Sequence, residues 1–316
     1  MIPKDFFGIV KLAEIIKVGV GILYEPTKIK RKATADAYAI ETISEMIRSN
    51  MDMPIVYNQG GITIDTSTSN FKELAERASQ RFLYQEMTKQ QNIEAVISKA
   101  HEELENAEEV SDEPVSHDWI LRFFNLAGDV SSEQMQTLWA RVLAGEVRKP
   151  GSFSFRSLQV LTMLSKEEAE VFKRVTPFVF HHGGRGFLFD KDMSSKYYAY
   201  KELLTLSDCG LLSIDMTSVL KFSGLKNGAT FTAANVVCTV NSDEEDSFTL
   251  SRVCHLTSAG TELLQLFNVE QNTDYIINLF KWFKQIAPQL MLTAHYIIAT
   301  DEDGVVTHEK MDLLTD

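Results

Sequence analysis

Near the start of the chain Phe6, Ile9, Ala13, Ile16, Val20 and Leu23 recur at alternating steps of three and four, the spacing of a stripe one helix buries against another. Lys4, Lys11, Glu14 and Lys17 fall away from that stripe, and they interrupt the apolar run that a signal peptide or membrane span would need. Pro26 ends or kinks this helix. A second helix over 33–48 is predicted to carry Ala37, Ile40, Ser44 and Ile47 on one stripe. Residues 50–69, with Pro54, Gly60, Gly61 and a Thr/Ser-rich stretch, read as a loop with a short hairpin formed by 55–57 and 62–64.

Asn70 followed by Glu73 has the spacing of a capping box and opens the longest helical run, to about Asn106. At about 1.5 Å per residue it would be about 55 Å long, too long to stand without partners, and the first two helices are the expected ones. Glu102, Glu103, Glu105, Glu108, Glu109, Asp112 and Glu113 then lead to Pro114 and read as a solvated acidic linker.

From Ser116 the pattern changes. Ser116 is expected to cap a helix carrying Trp119, Ile120, Phe123, Phe124 and Leu126, which Gly128 stops. Ser131 with Gln134 offers a capping box for the next, carrying Met135, Leu138, Trp139, Val142 and Leu143. Further helices are predicted over 155–163 and, capped by Ser165 and Glu168, over 171–175. Strand-like runs follow: FVF, the HHGGRG turn and FLF, then 219–222, 231–240 and 248–255, interrupted by a helix over 197–206. A helix ending at Cys209-Gly210-Leu211-Leu212, a β-ribbon, and a strand entering Leu256-Thr257-Ser258-Ala259-Gly260 look like a winged-helix module. In that reading Gly210 supplies a left-handed C-cap and Thr257 the N-cap of a helix to Phe267. The tail adds a helix over 274–286 and a hairpin turned at 301–304. The fold class is therefore α+β and mostly helical. Residues 1–113 form a helical N-terminal domain with a long helix and acidic linker, and residues 114–316 a helical, winged-helix-like domain with a C-terminal hairpin.

Composition narrows the function. Thirty-one Lys and Arg against 44 Asp and Glu give a net charge of -13, a poor field for gripping a phosphate backbone except through a local basic patch. Cys209, Cys238 and Cys254 show no metal-site or disulfide spacing, so a reduced cytoplasm fits, with no metal and no cofactor expected.

Two blocks carry a family resemblance: Gly-x-Gly-x-x-Tyr-x-Pro-x-x-Ile over 19–29, and a longer one through Asp118-Trp119, Gln134-Met135, Leu138-Trp139-Ala140, Leu143-Ala144-Gly145-Glu146 and Pro150-Gly151-Ser152-Phe153-Ser154. On these the chain resembles a bacterial family known as domain of unknown function 2806. The resemblance covers most of the chain and implies a bacterial cytoplasmic protein without supplying a reaction. A similar short basic-amphipathic start occurs among abortive-infection proteins that act against phage.

Each chemical motif has a plainer reading beside it. Lys28, Lys30, Arg31 and Lys32 can bind anionic lipid headgroups or nucleic acid, or form only a solvated helix start. His181, His182 and Arg185 with their glycines can form an anion-binding nest, but without the strand-to-helix context of a phosphate loop a glycine hairpin turn is the simpler account. Adjacent histidines on an extended chain point to opposite faces, which argues against a shared metal. His117 beside Asp118 reads as helix-cap polarity, Glu146 with Arg148 as surface charge, and Trp119 and Trp139 as core.

The favoured function is a non-enzymatic interaction or regulatory protein, part of a phage-defence system, acting through helical assembly with itself or a protein partner. A nucleic-acid-binding regulator using the winged-helix-like half is the second reading, weakened because 195–212 holds only Lys196 and Lys201 against Glu202 and Asp208. A membrane-surface effector using the basic amphipathic start is the third. A hydrolase has no motif behind it.

Overall fold

The computed structural model describes residues 7–20, 69–105, 110–189, 196–215, 218–233, 236–244, 246–251, 253–267, 269, 272–300 and 306–310. Phe6, Leu23, the helix expected over 33–48, the hairpin expected within 50–69, and Lys28, Lys30, Arg31 and Lys32 all lie outside them. The chain divides into two compact units, Met1–Pro150 and Gly151–Asp316. Together the described elements make an α+β protein with a mostly antiparallel set of strands.

The first unit is helical: α1 (Phe7–Gly19), α2 (Ser69–Glu105), α3 (His117–Ala127) and α4 (Glu133–Arg148). α1 packs on α2, α3 and α4, and α2 runs along α4, so the helices carrying Trp119 and Trp139 sit with the N-terminal ones. The aromatic core is tight: Trp119 stacks on Phe123 at 5.0 Å, and Phe123 meets Trp139 at 5.3 Å. Trp139 and Phe123 are fully buried, which is the core reading of these rings.

The buried face of α1 is displaced from the expected stripe. Leu12, Ile15 and Ile16 are buried, Ile9 and Val20 are half-buried, and Ala13 is exposed. Lys11 belongs to the buried face because its ammonium donates to the Ser111 carbonyl at 2.7 Å while its aliphatic stem packs inward. The acidic linker is likewise pinned at one point: the Ser111 N–H donates to the Arg148 carbonyl at 2.8 Å and Val115 is buried, while Asp112 and Glu113 stay exposed. Glu146 is only 2% exposed, so the surface ion pair expected with Arg148 gives way to a carboxylate inside the helical unit that faces Lys11.

Some expected caps form and others do not. Ser116 and Ser132 stand at the N-caps of α3 and α4 without a side-chain bond, so the Ser131–Gln134 box is absent. Gly128 ends α3 in a right-handed conformation with φ -59.

The second unit opens with α5 (Phe155–Met163) and α6 (Lys166–Val175), whose Ser165–Glu168 capping box forms in both directions. Then come β1 (Phe180–His182), β2 (Arg185–Phe189), α7 (Tyr200–Asp208), β3 (Leu212–Ile214) and β4 (Val219–Ser223). β5 (Ala229–Ala233), β6 (Val236–Asn241), β7 (Ser247–Ser251) and β8 (Val253–Leu256) follow. α8 (Ser258–Leu264), α9 (Thr273–Ile286), β9 (Met291–Thr300) and β10 (Val306–Lys310) complete the order.

The expected single strand over 231–240 is a hairpin, because Ala233 pairs back on Val236. The run over 248–255 is two strands in different sheets: β7 pairs with β4, and β8 with β2 and β3. The larger sheet has eight strands in the order β10-β9-β6-β5-β1-β2-β8-β3. α9 lays its aromatic face against both sheets: Phe283 lies 6.1 Å from Phe189, 6.3 Å from Phe231, 6.5 Å from Phe222 and 6.1 Å from Phe248.

Candidate functional site

The glycine hairpin was the most site-like motif in the sequence. Its turn residues Gly183 and Gly184 have φ of 57° and 75°, which suits the two-residue reversal that twisted strands favour, and a Cβ at either would meet open space. β1 and β2 pair directly through His182 and Arg185. The His182 Nδ1–H donates to the Thr230 carbonyl at 2.7 Å, and its ring centroid sits 4.8 Å from that of Phe222. That bond requires a hydrogen on Nδ1.

His181 pairs with Gly186 and so occupies the opposite face, where burial pushes its imidazole below the usual range and keeps it neutral. The structure therefore brings Arg185 to His182 but separates His181 from them. In its place stands His255, paired across the sheet with Phe187 and with Ser213. Burial lowers the pKa of His255 first, the nearby Arg185 lowers it further, and Asp215 opposes both. Its Nδ1 is buried without a hydrogen-bond partner. Only the strand register reveals this neighbour, since seventy residues of sequence separate His255 from Arg185.

A second polar cluster joins 196–197 to the start of α9. The Tyr197 hydroxyl donates to Asp274 Oδ2 at 2.9 Å, Lys196 Nζ donates to the same oxygen at 2.8 Å, and Asn278 Nδ2 donates to the Tyr197 oxygen at 2.7 Å. Hydrogen bonds from Lys196 and Tyr197 lower the Asp274 pKa, and Asp274 raises that of Lys196. Burial raises that of Tyr197. Carboxylate and ammonium are thus held charged and the phenol protonated, which leaves no group poised to exchange a proton near neutrality. The cluster reads as a tie between chain segments.

The third is a serine–carboxylate pair. The Ser157 hydroxyl and the Ser154 N–H both donate to Glu262 Oε2, and the Ser154 hydroxyl caps α5 through the Ser157 N–H. Ser157 is fully buried and has no imidazole or amine beside it in these contacts, so the set clamps α5 to α8. Elsewhere burial and Glu168 push the Cys209 thiol up to about 11, far from a reactive thiolate. Among the described residues no group of three or more His, Cys, Asp or Glu is placed to hold a metal ion.

In the first unit, burial lowers the pKa of Lys11 while Asp112, Glu113, Glu146 and Glu14 act to raise it. The more informative feature is α2. Its C-terminal third is the packed part, with Val96, Ile97, Ala100 and Leu104 buried. Asn92 donates to the Gly128 carbonyl at 2.8 Å and marks where that packing begins. N-terminal to Asn92 the helix continues with Leu74, Phe82 and Tyr84 at 55%, 60% and 73% exposure. No sequence signal separated these two parts, since one periodic pattern runs through both.

A family model described as a protein of unknown function, DUF2806, matches residues 76–280. The chain belongs to this family. The DUF2806 match opens within the exposed part of α2, runs through α3 to α8, and closes within α9. It therefore contains the Trp119–Trp139 core, the glycine hairpin and the Ser157–Glu262 clamp. No curated protein and no solved structure matches the chain. No described helix is long and apolar enough to cross a membrane.

Proposed function

We propose that this DUF2806 protein is a non-enzymatic interaction or regulatory protein of the bacterial cytoplasm, part of a phage-defence system, that assembles through its helical unit with itself or a protein partner. The observation that carries this reading is the exposed N-terminal part of α2, where Leu74, Phe82 and Tyr84 face solvent on an extended helix. Helical segments without tertiary packing are marginal in water, so such a segment gains most of its stability from a partner. The Lys196–Tyr197–Asp274 and Ser157–Glu262 clusters support the non-enzymatic half, since each satisfies itself and neither presents a group tuned for proton transfer or attack.

The test is co-purification from the native host with wild type and with the Leu74→Asp, Phe82→Asp double variant. The variant is expected to lose its partner, whether a second copy or another protein, while the near-UV circular dichroism of the packed cores is unchanged. Identical co-purification by both proteins would remove the assembly reading.

The winged-helix-like half favours a second reading, regulation through nucleic acid. α7 turns into β3 through Gly210 at φ 77°, β3 pairs antiparallel with β8, and Thr257 caps α8 by accepting the Gly260 N–H at 3.0 Å. The solvent face of α7, where a recognition helix would read bases, carries Tyr200, Lys201, Leu204 and Asp208, a face closer to protein contact than to phosphate. Random duplex DNA is therefore expected to bind more weakly than about 1 µM at physiological salt, by fluorescence anisotropy. A tighter, salt-sensitive complex would promote this second reading, with Lys28, Lys30, Arg31 and Lys32 as the first basic residues to neutralise. Those four residues in the first unit and, separately, His182 and Arg185 in the second are the proposed anion- or partner-binding residues, with His181 on the opposite face of its strand. The same four cations, which follow α1 in the sequence, carry the third reading, an anionic membrane surface. The α1 residues Leu12, Ile15 and Ile16 are already buried within the helical unit, so lipid contact would rest on the basic cluster.

A further inference from the structure

We infer that the occupant of the exposed part of α2 is a second copy of this chain, lying antiparallel with Ala78 at the crossing point. The inference rests on the assembly reading above and names its partner and geometry. Leu74, Ala78 and Phe82 stand four residues apart and share one side of the helix, and all three are exposed. The sequence of sizes is large, small, large, and it reads the same from either end. Under a two-fold axis through Ala78, Leu74 of one chain meets Phe82 of the other, and this happens twice, while Ala78 meets its own copy. Two crossing helices approach most closely at their crossing point, so the small residue belongs there and the larger ones belong where the axes diverge. A parallel pairing would also set Ala78 on its own copy, but it would place Phe82 on Phe82 and Leu74 on Leu74 and align the two helix dipoles, whereas the antiparallel one matches each ring to a smaller side chain and opposes the dipoles.

Charge favours the same partner. The chain as a whole carries -13, so two copies repel through most of their surfaces. Residues 69–91 are different: they hold four basic residues against three acidic ones, and Arg77 and Glu73 already pair along the helix at 3.6 Å. Self-contact there meets no acidic field. The exposed segment is about 34 Å long at the helical rise, and two such segments bury on the order of 1,000 Å², the low end for a specific interface. An interface of this size belongs with the weak, reversible ones, so a reversible dimer is expected. Isologous contact is also the commonest way a soluble chain assembles.

The test uses the full chain with single cysteines placed on α2. The native Cys238 and Cys254 are buried and Cys209 is half-buried, so they compete little under mild oxidation. Ala78→Cys is expected to form a covalent dimer, whereas Leu74→Cys alone and Phe82→Cys alone are not. An equimolar mixture of Leu74→Cys and Phe82→Cys is expected to give the mixed dimer. Sedimentation velocity of the wild type is expected to show a dimer that Phe82→Asp weakens at least tenfold while the near-UV circular dichroism of the packed core is unchanged. Self-crosslinking of Leu74→Cys with Leu74→Cys would establish a parallel pairing and overturn the geometry. A wild type that stays monomeric at about 100 µM would overturn the self-partner itself. If that monomer still loses a host protein on Leu74→Asp, Phe82→Asp substitution, the assembly reading stands and only the second copy is excluded.

Discussion

Phe283→Ala is expected to destabilise the second unit by about 3–5 kcal/mol. The side chain is fully buried and lies within 6.5 Å, centroid to centroid, of Phe189, Phe222, Phe231 and Phe248, which come from both sheets. Removing the ring leaves a void bounded by four other rings on rigid strands. These cannot all move inward, so the lost transfer energy is joined by a cavity term. Native-state hydrogen exchange of the peptides covering β5, β6 and β8 should show protection falling by roughly a hundredfold to a thousandfold or more. A fall smaller than tenfold would mean that α9 is not the centre of this core. Phe283→Leu keeps more of the volume and should cost roughly half as much.

Gly260→Ala should be comparably damaging for a different reason. A Cβ at Gly260 would sit 2.0 Å from the Leu211 carbonyl oxygen, which is backbone and cannot rotate away. That oxygen already accepts the Thr257 N–H at 3.0 Å, and Thr257 Oγ1 donates to the Gly210 carbonyl at 2.7 Å. One methyl group therefore forces α8 away from the end of α7 and breaks both bonds, a cost of about 3 kcal/mol or more. Gly151→Ala is the control. Gly151 has φ 83° with nothing within 4 Å of an added Cβ, so it should lose only about 1 kcal/mol through backbone strain. Thermal unfolding of the three proteins should rank wild type, Gly151→Ala and Gly260→Ala in that order. Equal melting of the two variants would contradict the close approach at Leu211.

These two glycines illustrate what the sequence could and could not reveal. The Leu-Thr-x-Ala-Gly run announced the Thr257 cap, because a threonine before a helix is a local signal that needs only its neighbours. The need for a bare Gly260 depends on Leu211, which is close only after the chain has folded. The same division holds elsewhere. The Ser165–Glu168 box, the long α2 and the glycine hairpin were legible, since each is fixed within a few residues. The buried side of α1 was not, because the linker carbonyl of Ser111 draws Lys11 inward and rotates the face that periodicity alone would choose. The split of 231–240 into two strands escaped as well: apolar residues lie on both sides of Asn235, and the reversal between Ala233 and Val236 has no proline or glycine to mark it. Of the anion-binding candidates, Arg185 and His182 do share a position, yet His255 entered through strand order that no local pattern encodes.

That strand order also sets when the protein can be finished. In the eight-stranded sheet β1 must wait for β5, β2 for β8, and β6 for β9, each neighbour arriving some fifty or more residues later in the chain. Such pairings are slow to form, since a long loop must close before any contact offsets its entropy. On the ribosome the strand holding Val236, Cys238 and Val240 emerges with its outer edge bare, and that edge stays open until Met291–Thr300 is made. During that interval the nascent chain carries a template for wrong pairing with its neighbours. A chain that stops near residue 290 would keep this open edge for its whole lifetime, and aggregation rather than simple loss of activity would be its fate.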